Sequence, residues 1–318
     1  MSAIVADLGG GVFRITHPLP YALDHVHCYA VRGADGWTLI DTGLGTPTTG
    51  QGWREALAEL GHPRVQRVVI THYHPDHIGG SAMLVELTGP EEVVQSARDA
   101  ELTRSTWNNE QNRVDLEQFL LDQGMPPATA SESAFREGAL PVSAAAPTRL
   151  VGEGDTLDLD GETFDVLVLP GHADGHIALM GQRTGRLFGG DVLLQGITPT
   201  VGTWHDTEFD PLGRYLATLE RISDLAPAVV FPGHRRLVEE PRTRAEEIVE
   251  HHVHRLEAHR EALRAGAVTP YEVTFRLWSG ELGYHERRFA LVEAVSHLTR
   301  LEQLGLAEEA EPGRWRAL

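Results

Sequence analysis

The sequence predicts an α/β protein, with a sheet-rich domain over residues 1–240, a helical insertion at about 97–137, and a helical module over 241–318. Three observations carry this expectation. Short apolar runs bounded by Gly, Pro and Asp recur through the first 240 residues, and several end in His or Asp. Between 97 and 137 the rhythm turns helical and polar, broken at Gly124, Met125, Pro126 and Pro127. Beyond Pro241 the pattern is that of long amphipathic helices.

Taken in order, residues 12–16, 28–32 and 37–41 read as strands, and Gly33, Asp35 and Gly36 make a hairpin turn between the last two, so this part is antiparallel. A helix over about 53–60, closed by Gly61 and Pro63, leads to an apolar strand at 65–71. Residues 78–87 are helical and 93–96 extended. After the insertion, the small-residue stretch 143–147 leads back to sheet at 163–169, 177–181, 187–189 and 228–231, with a helix at about 212–225 between the last two. Helices follow at 244–264 and 287–304, with a shorter one after Thr269 and Pro270, and residues 306–318 read as a β-ribbon or wing.

Composition narrows the function classes. With 318 residues, 41% hydrophobic and 23% charged, the chain can bury a large core. No run approaches the roughly 18 apolar residues of a membrane span, and no secretory leader pattern opens the sequence, so a soluble, cytoplasmic protein is expected. Cys28 is the single cysteine, lies in an apolar segment and is expected to be buried rather than reactive. The net charge is -19, from 46 acidic residues against 27 basic ones, all arginine. Such a field opposes nucleic acid. Residues 241–318 hold 13 acidic residues and 11 arginines, so a homodimer contact, or packing over the active-site rim, is the expected role of this module.

The chemistry lies at the strand ends. Asp41 follows "WTLI", His72 and His74 follow "RVVIT", His172 follows "VLVLPG", Asp191 follows "RLFGG" and His234 follows "VVFPG". Five runs each deliver a metal-type ligand, most through a glycine-bearing turn, as a site on one rim of a sheet requires. A chance loop cluster would not repeat in this way. Within "HYHPDH", His72 and His74 are two apart and can share one ion, while Pro75 turns the chain and aims Asp76 and His77 at a second. His172 completes three imidazoles on the first ion. Asp76, His77 and His234 hold the second, and Asp191, with two oxygens, suits a bridge. Imidazole with carboxylate fits two zinc ions, with manganese or iron as other occupants.

The ordered set "THYHPDH", "PGHADGH", "GGD" and "FPGH" resembles the metallo-β-lactamase superfamily over about residues 10–240. The resemblance implies an αββα sandwich, a binuclear metal-dependent hydrolase, and Asp76 as the ligand that also orients the attacking hydroxide. It implies that Asp41 hydrogen-bonds a ligand histidine; His176 is weighed equally between that kind of support and a plain structural role. The C-terminal part is similar to that of a subgroup with a winged-helix-like appendage, which includes glyoxalase-like hydrolases and endoribonucleases. Asp191 argues against the secreted β-lactamases, His74 against the flavodiiron proteins, and "FPGH" against glutathione thioesters. A small acyl substrate, whether thioester, ester or lactone, is preferred over RNA or another phosphodiester, and both over a non-enzymatic metal-binding module. The insertion is expected to be a mobile cover whose Trp107 adds an apolar wall. His25, His27, Trp204 and His205 are weaker rim candidates, and His251, His252, His254 and His259 are expected to lie on a solvated helix surface.

Overall fold

Strand runs rich in Val, Ile and Leu pair into two sheets in the computed structural model, which describes residues 4–278, 280 and 282–318. The first has seven strands in sequence order: β1 (Ile4–Asp7), β2 (Val12–Pro18), β3 (His25–Val31), β4 (Trp37–Ile40), β5 (Val65–Val69), β6 (Glu92–Ser96) and β7 (Arg149–Val151). Its first four strands are antiparallel, and β4 to β7 are parallel. The second holds β8 (Thr156–Leu159), β9 (Glu162–Val168), β10 (Ile177–Gly181), β11 (Arg186–Gly190) and β12 (Val229–Pro232), in the spatial order β12-β11-β10-β9-β8, with only β11 and β12 parallel. Strands β1, β7 and β8 were not expected from sequence; each is three or four residues long, too short for a clear alternation.

The inner faces of the two sheets share one core. Tyr29, Ile40, Val69 and Val94 from the first meet Phe164, Val166, Leu179, Phe188 and Phe231 from the second, all nearly excluded from water. Each such side chain contributes about 1.5–3 kcal/mol by burial. The fold is therefore mixed α/β with two packed sheets.

Helices connect the strands. In the first half these are α1 (Pro47–Glu59), α2 (Pro75–Ile78), α3 (Ser81–Thr88), α4 (Ala97–Thr106), α5 (Glu110–Asp122) and α6 (Pro127–Gly138). Later come α7 (Pro211–Leu225), α8 (Pro241–Arg264), α9 (Pro270–Leu277) and α10 (Tyr284–Gln303), and the chain closes on an antiparallel ribbon of β13 (Ala307–Glu311) and β14 (Arg314–Ala317). Helix α1 starts six residues before the expected position because Thr46 caps the Thr49 amide and Pro47 fixes the first turn. It buries Trp53, whose indole N–H donates to the Thr42 carbonyl at 2.8 Å and so steadies the loop after β4.

The chain forms two compact units. One comprises residues up to Ser105, Pro141–Pro199 and Ile222–Arg244; the other comprises Thr106–Leu140, Thr200–Arg221 and Ala245–Leu318. Within the second, Leu116, Leu120, Met125, Ala130 and Ala134 of the insertion share a core with Leu291 of α10. Helices α5 and α6 of the insertion are therefore packed together with α10, through Leu116 and Leu120 of the one and Ala130 and Ala134 of the other. Trp204 joins the edge of this core, and the ring of His205 lies 6.5 Å from that of Phe119. The solvated reading of the helix α8 histidines is corrected in part. His251 and His254 are exposed, but His252 and His259 are buried with His297, because seven residues span two turns and return to the same face. Among the described residues, no helix is long and apolar enough to cross a membrane.

Candidate metal centre

The carboxyl ends of five strands supply the site. Beyond β4, Asp41 takes φ 60, a left-handed backbone that costs a residue with a Cβ about 1–2 kcal/mol. Three hydrogen bonds hold it there. Its Oδ1 accepts from the Thr71 amide at 2.8 Å, and its Oδ2 accepts from the Thr71 hydroxyl and from His77 Nδ1, each at 2.8 Å. Beyond β5 come His72 and His74, and α2 then carries Asp76 and His77, with Pro75 in its first turn. The loops after β9, β11 and β12 bring His172 with His176, Asp191, and His234.

These side chains converge in three overlapping trios: His72, His74 and His172; His72, His77 and Asp191; and Asp76, His77 and His234. Within each, the ligand-type atoms lie within 4.8 Å of one another. Two nitrogens on one tetrahedral ion sit about 3.4 Å apart, so the spacing suits a shared metal. His74 Nδ1 and His172 Nε2 are 2.9 Å apart. Asp191 spans the set, with Oδ1 3.5 Å from His77 Nε2 and Oδ2 3.3 Å from His234 Nε2 and 3.7 Å from His172 Nε2.

The hydrogen-bond partners fix which nitrogens face inward. His77 donates Nδ1–H to Asp41, and His234 donates Nδ1–H to the His25 carbonyl at 2.7 Å. The Thr71 hydroxyl spends its proton on Asp41, so His72 Nδ1, 3.0 Å from that oxygen, is the donor between them. The Nε2 atoms of His72, His77 and His234 therefore face into the site. Those three atoms and Asp191 Oδ1 are buried with no hydrogen-bond partner. Buried polar atoms left bare cost about 1–3 kcal/mol each, and bound metal ions would satisfy all four.

The electrostatics are those of a charge-rich, water-poor site. Burial drives His72 and His176 well below the usual imidazole range, reinforced by neighbouring histidines. Burial also lowers His74, with His172 adding to the shift. Burial opposes the charge on Asp191, but His234 and His77 outweigh it and hold this carboxyl well below the usual carboxylate range. Burial likewise opposes Asp76, which His77 and His234 lower to about 2. Burial opposes a charge on His77 and on His234 as well, but the carboxylates outweigh it: Asp191 and Asp41 hold His77 well above the usual range, and Asp191 with Asp76 raises His234 to about 10, so without an ion a proton takes the inward place that a metal would fill.

The profile of the metallo-beta-lactamase superfamily matches residues 21–234. The chain belongs to the metallo-beta-lactamase superfamily. A probable metallo-hydrolase of Bacillus subtilis, YqjP, is 30% identical over 96% of this chain and 95% of its own. The acyl-coenzyme A thioesterase MBLAC2 of Gallus gallus is 29% identical, over 71% of this chain and 78% of its own. Among solved structures, the metallo-beta-lactamase family protein TTHA1429 of Thermus thermophilus has a TM-score of 0.83 at 34% identity, covering 98% of this chain and all of that one. A beta-lactamase domain protein of Burkholderia ambifaria has a TM-score of 0.88 at 26% identity, covering 99% of this chain and 94% of that one. Superfamily membership, with the three trios, makes the protein a metal-dependent hydrolase.

Every candidate ligand from the sequence lies in this superfamily site. His176 sits beneath it, stacked on His72 at 4.7 Å, with Nε2 accepting from the Asp191 amide at 3.1 Å. Gly190, at φ 49, is required there, since a Cβ would lie 2.7 Å from His176 Nε2 and 2.8 Å from Thr71 Oγ1. His25 and His27 do not present free rings. His25 Nε2 accepts from the Arg235 amide at 3.3 Å and His27 Nε2 bonds the Arg235 carbonyl at 2.7 Å, so both hold the His234 loop. Sequence reasoning missed Thr71 and Asp99. Asp99 is fully buried, and burial raises it to about 7 against two backbone amide bonds. Its only signal was "SARD", a capping-type Ser-x-x-Asp at a helix start.

Proposed function

We propose that this protein hydrolyses a small acyl substrate, a thioester, ester or lactone, at a binuclear zinc site. His72, His74 and His172 would hold one ion and Asp76, His77 and His234 the other, with Asp191 between them. The observation that carries this reading is the set of inward Nε2 atoms on His72, His77 and His234, each bare because its Nδ1 is committed outward. Bound divalent ions supply two things there: a water activated as a nucleophile near neutral pH, and polarisation of the acyl oxygen under attack. The chain's own residues do the rest. Asp41 and the His25 carbonyl keep the imidazoles in the ligating tautomer. Asp76, 16% exposed and with Oδ2 3.2 Å from His234 Nε2, would orient the attacking water and accept its proton.

Two facts support an acyl substrate over a phosphodiester. The net charge of -19 opposes a polyanion, and the relatives include acyl-coenzyme A thioesterases at 26–29% identity. The test is a panel on zinc- and manganese-loaded protein, with acyl thioesters, esters and lactones against single-stranded RNA. Metal-dependent release of thiol or alcohol, abolished by His172→Ala, is the expected result; RNA cleavage with every acyl compound untouched would overturn it.

A further inference from the structure

We infer that Asp99 is a positioning residue that sets the separation of the two loops carrying the first histidine trio. The juxtaposition is direct. Asp99 Oδ2 accepts from the Tyr73 amide at 3.0 Å, and Tyr73 lies between His72 and His74; Asp99 Oδ1 accepts from the Gly175 amide at 2.7 Å, in the loop that carries His172 and His176. One carboxylate thus ties together the two segments whose imidazoles meet at 2.9 Å, His74 on one side and His172 on the other.

Asp99 is itself held rigidly. It occupies the first turn of α4, where the Ser96 hydroxyl accepts from its amide at 3.2 Å. Its carbonyl accepts from the Thr103 hydroxyl at 2.7 Å, and that hydroxyl also accepts from Gln95 at 3.0 Å. In a capping box an acidic residue at this position turns back to its own helix. Here the carboxylate is directed away from α4, so the helix start acts as a fixed post for the two loops. The opposing wall leaves no slack, since a Cβ on Gly175 would lie 2.5 Å from Ser96 Oγ and 2.6 Å from Asp99 Oδ1. Beside it, Arg98 pairs with Asp174 at 3.1 Å, a second tie between the same helix start and the same loop.

The Asp76, His77 and His234 trio hangs on different supports, Asp41 and the His25 carbonyl. Asp99 therefore acts on one half of the site. The inference rests on the metal-binding reading of the trios and is independent of the substrate. Asp99→Asn places an amide N–H₂ against one of the two backbone amides and releases one loop. The expected result is a 10- to 100-fold loss of affinity, of the order seen for partners that orient metal ligands, confined to the ion bound by the first trio.

The experiment is stepwise titration of metal-free protein with zinc against a chromophoric chelator, with far-UV circular dichroism as the fold check. His172→Ala and His234→Ala assign the two binding steps. Asp99→Asn should weaken the step lost in His172→Ala and leave the step lost in His234→Ala within about three-fold. Gly175→Ala, which crowds the clamp from the other side with Asp99 intact, should do the same. Equal loss of both steps, loss of the second alone, or wild-type affinity in a folded Asp99→Asn protein would overturn the inference. If Asp99→Asn does not fold, Gly175→Ala decides by the same criteria. Failure of both to fold assigns Asp99 to the folding core and also overturns it. Wild-type protein that takes up no zinc removes the metal reading itself, a result distinct from all of these.

Discussion

Asp41 shows how one residue joins strain to function. Its left-handed backbone is held by the Thr71 amide and hydroxyl, and the same carboxylate fixes the His77 ring. Asp41→Ala leaves His77 Nδ1–H without an acceptor, so binding of the ion shared by Asp76, His77 and His234 should weaken about 10- to 100-fold in chelator competition. Asp191→Asn belongs to the same scale. Removing an anion that reaches His77, His172 and His234 should weaken the second ion more than the first, read as two separate zinc dissociation constants. Loss of neither would show that Asp191 is misassigned as a ligand, and equal loss of both would show that it does not favour the second ion. Gly190→Ala forces a Cβ into His176 and Thr71 at a left-handed position and should cost about 1–3 kcal/mol in urea unfolding.

Helices α8 and α10 carry a buried histidine stack between them. His259 and His297 lie parallel at 4.4 Å, and His252 Nδ1 is 3.2 Å from His297 Nε2. Burial lowers His252 and His259 to about 3 and His297 well below its usual range. The unfolded chain takes up protons at these rings near pH 6.5 while the folded chain does not, so stability falls as pH drops below 6.5 toward 3. Each ring contributes a slope of about 1.4 kcal/mol per pH unit. Glu293, raised by burial to about 7 with Arg255 opposing, acts in the other direction between 7 and its unfolded 4.5. His259→Phe keeps the stacked shape and removes one titrating ring. Its urea midpoint should therefore fall less steeply than wild type between pH 6.5 and 5, and parallel slopes would show that the ring is not held neutral. In the core shared with α10, Leu120→Ala should cost about 2–5 kcal/mol, measured by urea unfolding, because α5 is packed there rather than free.

For the whole molecule, charge and metal content are the quantities to measure. Carefully prepared protein should hold about two transition-metal ions per chain by elemental analysis, since seven ligand-type side chains exceed what one tetrahedral ion can use. One ion at saturation would end the binuclear proposal. The charge of -19 should also keep RNA from protecting the protein or competing with acyl substrates at low ionic strength, where any electrostatic binding would be strongest. The two compact units make the unfolding route informative: each has its own core, in Phe188 and its neighbours for one and in Leu120 and its neighbours for the other.

Much of the site was legible because its chemistry is local in sequence. The apolar strand runs end one to four residues before Asp41, His72, His172, Asp191 and His234, and the two-residue spacing of His72 and His74 needs no tertiary information. The sequence alone thus determined the sheets' main strands, the candidate ligands and the adverse field for polyanions. Tertiary structure decided everything that depends on a partner distant along the chain. Asp99 looks like an ordinary helix-start acid until Tyr73 and Gly175 arrive from 26 and 76 residues away. His25 and His27 look like open rim residues until the Arg235 backbone closes on them. The α8 histidines look solvated until α10 covers one face, and the apolar positions of α5 and α6 have no visible partner until Leu291 joins their core. A side chain's own type fixes what it can donate, accept or bury, but only the folded neighbours set which of these it does, because burial and hydrogen-bond partners are properties of contacts that spacing along the chain does not encode.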